Sequence, residues 1–145
     1  MKNFKNIFAL AICVLFVSFA AFADSDIPVA IDQLPASVKT FVSTHFPEQN
    51  IVYAELEHGY KYEIRLNDGS KIEILKSGEF QKAECVMKAV PASLIPAKIA
   101  DYIKKNHADS LVTEIEKKAF GYKVELNDHL DLIFGAYGKF MGFDD

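Results

Sequence analysis

Tyr62-Glu63-Ile64-Arg65-Leu66-Asn67-Asp68 returns sixty positions later as Tyr122-Lys123-Val124-Glu125-Leu126-Asn127-Asp128. Each copy alternates apolar and polar side chains, the period-two pattern of a strand with one buried and one wet face. The same offset joins Gly78-Glu79-Phe80 to Gly138-Lys139-Phe140, and Leu34-Pro35-Ala36 matches Ile95-Pro96-Ala97 at an offset of sixty-one. A period near sixty exceeds that of short solenoid repeats and suits a small α+β module. Apolar pattern and turn chemistry recur, whereas most polar positions differ. The duplication is therefore one of scaffold, not of a catalytic site.

Working outward, each copy opens with a helix. Pro35 suits the first helical position, where a missing N–H costs nothing, and Val38, Phe41, Val42 and Phe46 form an apolar stripe. Pro47 stops that helix. Pro96, then Ile99, Tyr102 and Ile103, repeat the arrangement, with Asn106 at the end. Strands are expected over 51–57, 60–66, 71–75 and 79–87, then over 111–118, 120–126, 130–134 and 139–143. Asn67-Asp68-Gly69 supplies a hairpin tolerant of positive φ. The predicted fold is α+β: one helix and a four-stranded antiparallel meander, twice, over about 32–87 and 90–143. A repeat of this size is marginal alone, so the copies are expected to share one sheet with both helices on one face.

The first residues read differently. Lys2 and Lys5 precede an apolar run from Ile7 to Ala21, and Ala21-Phe22-Ala23 makes a small-x-small cleavage site. Residues 1–23 are expected to be a secretory signal peptide, leaving 24–145 as a single domain. Cys13 lies inside the apolar run behind Ile12, which does not fit a lipoprotein signal. Cleavage would leave Cys85 as the sole thiol, unable to form an internal disulfide and expected to be buried. Losing Lys2 and Lys5 would take the net charge from −4 to −6. That balance argues against nucleic acid and anionic membrane surfaces as partners.

Leu34-Pro35, the amphipathic helix, Phe46-Pro47, Tyr62-Glu63-Ile64-x-Leu66-x-Asp68-Gly69 and Gly78-Glu79-Phe80 together resemble the PepSY-like family. These are secreted bacterial proteins, often from Bacteroidetes, described as similar to the β-lactamase inhibitor protein. The resemblance spans both copies and implies a tandem α+β fold with a binding or inhibitory role. Where the family commonly has Trp after the last turn, this chain has Phe80 and Phe140 and no Trp, and His129 replaces the hairpin glycine of the first copy. No inhibitory contact residue carries over.

Catalytic chemistry finds little support in the residues. His45, His58, His107 and His129 lack the spacing that places two imidazoles on one metal. His45 and His107 fall at helix ends, where the dipole favours a cationic ring, and the other two lie in turns. There is no Gly-x-Ser-x-Gly elbow, glycine-rich phosphate loop or calcium loop. Asp68 and Asp128 are explained by their turns. No cofactor, metal or catalytic residue is therefore assigned.

The polar sheet face remains as a binding surface, represented by Tyr60, Lys61, Glu63, Arg65, Lys123, Glu125 and Tyr137. The expectation is a secreted or periplasmic, non-catalytic binding module with an unknown protein partner. Its narrower form is an inhibitor of an envelope or extracellular enzyme. The alternative is an envelope sensor that binds a small ligand or metal. Nucleic-acid binding and membrane insertion after signal cleavage are not expected.

Overall fold

The computed structural model describes residues 26–144, so the signal-peptide reading of 1–23 lies outside the described residues. The chain order is β1 (Ile27–Pro28), α1 (Ala36–His45), β2 (Ile51–Glu57), β3 (Lys61–Leu66), β4 (Lys71–Leu75) and β5 (Phe80–Glu84). It continues with α2 (Ala97–Asn106), β6 (Val112–Lys118), β7 (Gly121–Leu126), β8 (Asp131–Gly135) and β9 (Phe140–Phe143). A short 3₁₀ turn precedes each helix, at Ile31–Gln33 and Ala92–Leu94.

All nine strands form one sheet in sequence order, each antiparallel to its neighbour. The expected shared sheet is present, with one strand more than the eight read from the sequence. The extra strand, β1, is two residues long, too short for any periodic pattern to announce it. The repeats join through β5 and β6, in the register Lys82↔Glu116, Ala83↔Ile115 and Glu84↔Glu114. The connector is ordered against the sheet, since Val90 N–H donates to the Val112 carbonyl and Val90 is buried.

Both prolines sit one position earlier than expected. Pro35 and Pro96 are N-caps whose carbonyls accept the first helical bonds, from Val38 and Lys39 and from Ile99 and Ala100. The first helix stops at His45 because Phe46, preceding Pro47, leaves helical geometry at φ −130° and ψ 57°. Strand ends also differ by a few residues: β5 stops at Glu84 and leaves 85–87 outside the strand.

The two helices pack on one face. Val38 and Val42 from α1, Phe46 just after it, and Ile99 and Ile103 from α2 join Ile64, Leu66, Ile72 and Ile74 and their second-copy counterparts in a single core. Full burial of each such aliphatic side chain contributes about 1.5–3 kcal/mol. Phe41 stacks on Phe80 at 5.6 Å, while Tyr102 stacks on Phe140 at 4.5 Å and meets the edge of Phe134 at 5.4 Å. Cys85 is buried in this core, and burial pushes its thiol pKa up.

The repeated asparagines and aspartates explain why the turns are shared. Asn67 and Asn127 Oδ1 accept the backbone N–H of Asn50 and Leu111, tying each hairpin to the entry of the first strand of its repeat. Asp68 and Asp128 Oδ1 accept the N–H groups of Ser70 and Leu130 within their own turns.

Candidate functional site

With both helices on one side, the other face of the sheet carries no secondary structure among the described residues. Cross-strand register organises its side chains into rows. One row runs Glu55, Glu63, Glu73, Lys82, Glu116, Lys123 and Ile133. The next runs Tyr53, Arg65, Lys71, Glu84, Glu114, Glu125 and Asp131. Strand alternation presents both rows on one surface.

The first half of this face is a bonded network. Glu63 is the correction to the sequence reading: it is 6% exposed and is not an accessible contact residue. Arg65 Nε donates to its carboxylate at 2.7 Å, and Lys71 Nζ lies at 3.7 Å. Burial raises the Glu63 pKa, but Arg65 and Lys71 outweigh it and hold the carboxyl below its ordinary range. Lys61 is likewise half-hidden, bridging Glu57 at 2.8 Å and Glu73 at 2.6 Å. Burial works against its ammonium, and the hydrogen bonds to the two glutamates more than compensate, raising its pKa. The Arg65 guanidinium lies 5.2 Å from the Tyr53 ring centroid, while Tyr53 donates its hydroxyl to Glu55 at 2.7 Å. Charged groups held in this way are pre-oriented rather than free to reach.

The second half is more open and more acidic. Glu84, Glu114, Glu125 and Asp131 stand directly opposite one another on four successive strands, an arrangement that like-charge repulsion disfavours. Neighbouring lysines temper it, and a histidine lies close by. Lys82 lies 3.0 Å from Glu114, Lys123 lies 2.7 Å from Asp131, and exposed His129 lies 3.2 Å from Glu125. Burial still raises the Glu114 pKa. Lys123 also reaches Asp144 at 2.8 Å, and its bonds to Asp131 and Asp144 raise its pKa. A depression of about 330 Å³ opens here, bordered by Glu84, Val86, Glu114, Glu125 and His129.

The candidate aromatics do not converge. Tyr60 is exposed in the turn after β2, and Tyr137 is 87% exposed in the turn before β9. Thus Arg65 and Lys61 belong with buried Glu63 in one cluster, Lys123 and Glu125 belong to the second half, and the tyrosines mark separate turns.

The histidines are also dispersed. His45 ends α1 with Nδ1 2.8 Å from Ser93 Oγ, His107 caps α2, and His58 and His129 occupy turns at φ 50° and 64°. One group overlooked at the sequence level could hold a metal ion: carboxylate oxygens of Asp26, Glu55 and Glu57 lie within 4.8 Å of one another. Asp26 and Glu55 are 29 positions apart in the sequence, and only the pairing of β1 with β2 brings them together. No sequence-local motif signals this group.

No curated protein matches the chain. Among solved structures it is similar to a "putative calcium-regulated periplasmic protein" of Bacteroides thetaiotaomicron, with 29% identity and a TM-score of 0.78, covering 85% of this chain and 99% of that one. It is also similar to a "putative periplasmic protein of unknown function" of Bacteroides vulgatus, with 27% identity and a TM-score of 0.78, covering 83% of this chain and all of that one. No helix among the described residues is long and apolar enough to cross a membrane. The family described as "Putative beta-lactamase-inhibitor-like, PepSY-like" matches over residues 22–74 and again over 60–142, two regions that follow the duplication. The chain belongs to this PepSY-like family.

Proposed function

We propose that the protein is a non-catalytic periplasmic binding module that docks a partner protein on the exposed sheet face, in its narrower form as an inhibitor of an envelope or extracellular enzyme. The observation that carries this reading is the acidic row Glu84, Glu114, Glu125 and Asp131, kept beside an open depression despite mutual repulsion. Charge complementarity calls for a partner with a basic surface. The periplasmic relatives and the inhibitor-like family support the setting. The test is retention of envelope proteins on the immobilised protein and on its Glu84→Lys/Glu125→Lys variant. A basic partner is expected to bind the parent in a salt-sensitive manner and to be lost from the variant. Equal retention on both would defeat the reading. Hydrolysis assays of any retained enzyme, with and without the protein, then test inhibition.

A second reading is a divalent-cation sensor. Its support is the convergence of Asp26, Glu55 and Glu57, together with the calcium-regulated description of the B. thetaiotaomicron protein. Hard cations of this kind take carboxylate oxygens, and here Lys61 would have to release Glu57 to complete the set. Thermal unfolding with and without Ca²⁺ tests it: a ligand at about 100 times its Kd stabilises by about 2.7 kcal/mol. That gain is expected to vanish in Glu57→Gln; no gain in the parent protein would sink the reading.

A further inference from the structure

The sheet's two outer edges are unlike. At one, β1 covers β2, and β1 itself is blunted by its two-residue length and by Pro28, which has no N–H to donate. At the other, β9 has β8 as its sole strand neighbour among the described residues. Its sequence, Phe140-Met141-Gly142-Phe143, holds no charge and no proline, two devices by which edges resist pairing. Its bulge against β8 matches the bulge of β5 against β4, which does not keep β5 from pairing with β6. Met141 and Phe143 are both more than half exposed.

The duplication supplies the geometry of what such an edge accepts. Phe80 to Glu84 of β5 correspond to Phe140 to Asp144, and β5 takes β6 as an antiparallel strand through Lys82, Ala83 and Glu84. The outer edge at Gly142, Phe143 and Asp144 therefore holds the register position that β6 covers in the first copy, with Gly142 at φ +154° in place of Lys82. Head-to-tail continuation would require the outer edge of β2 in the next copy, and β1 already occupies that edge. The unblunted edge a second copy can offer is its own β9.

We infer that two copies pair through β9, antiparallel about a two-fold axis, extending the sheet across both. An isologous contact of this kind uses the same patch on each copy and closes, leaving only the blunted β1 edges outside. Beside β9, a groove of about 490 Å³ bordered by Tyr137, Lys139 and Met141 would lie next to the partner's strand. The contact is small, so the dimer is expected to be concentration-dependent rather than obligate. The pairing uses the backbone edge of β9, whereas the charged face acts through side chains of β5 to β8, with Asp144 bordering both, so either proposal can fail alone.

Sedimentation of the exported, processed protein over a concentration series tests the inference, alongside Met141→Lys. Met141 is exposed, so the substitution is expected to leave the circular dichroism spectrum unchanged while placing a charge on the edge. A reversible dimer in the parent, lost in Met141→Lys, is the expected result. A monomer throughout, a dimer indifferent to the substitution, or open-ended assembly would each overturn it. Amide exchange on the unmutated protein gives an independent readout: protection in β9 should rise with concentration, and unchanged protection also overturns the pairing.

Discussion

The two halves of the charged face share a backbone and oppose each other in charge. Where the first copy has Glu63, Arg65 and Lys71, the second has Lys123, Glu125 and Asp131. The first set closes on buried Glu63, while the second meets exposed His129 and the carboxylate of Asp144. Such wholesale inversion on one scaffold indicates that these side chains do not direct the fold. The apolar rows behind them do, since Ile64, Leu66, Ile72 and Ile74 correspond to Val124, Leu126, Leu132 and Phe134, all buried. The wet face is where the copies were free to specialise.

The largest expected break lies in those apolar rows. Phe134→Ala removes a fully buried ring packed against Tyr102 and Phe140, at an expected cost of about 3–5 kcal/mol. Ile74→Ala at the matching place should cost about 2–5 kcal/mol. Urea unfolding of both variants measures the pair. A loss below 1 kcal/mol at either position would contradict a core shared by the halves.

Gly121 and Lys61 occupy equivalent positions with different demands. Gly121 has φ +149°, and a Cβ there would stand 2.2 Å from the Phe134 carbonyl oxygen. Gly121→Ala is expected to cost about 1–3 kcal/mol through forced shifts of β8. Lys61→Ala meets no such obstacle and loses only partly exposed ion pairs, so about 1 kcal/mol or less is expected. Thermal unfolding should rank the two in that order, and the reverse order would refute this steric account.

The paired charges Glu63 and Glu125 sharpen the comparison, and the second of them carries the smallest expected effect. Glu63→Gln should cost about 1–3 kcal/mol because Arg65 and Lys71 lose their shared carboxylate, whereas Glu125→Gln should stay within about 0.5 kcal/mol. The pH dependence follows from the lowered Glu63 pKa. Its contribution is complete above the ordinary carboxyl value of 4.5 and is lost as pH falls through the lower folded-state value. The stability gap between parent and Glu63→Gln should therefore narrow below pH 4.5; a gap that widens there would show that Glu63 is not held ionised.

Much of this was legible from local chemistry. Prolines before the two helices, strict alternation from Tyr62 to Leu66, and Asn-Asp turns announce elements whose causes lie within a few residues of each other. The sequence by itself therefore determined a twice-repeated helix and meander, and the face on which each strand hides its apolar side chains. Only the tertiary structure decided that Glu63 is buried, that Asp26 meets Glu55 and Glu57, that acids line up across β5 to β8, and that β9 is an outer strand of the sheet among the described residues. These depend on cross-strand register and on which edge finds a partner. Both are contacts between residues far apart in the chain, and alternation along one strand carries no record of its neighbour's charge.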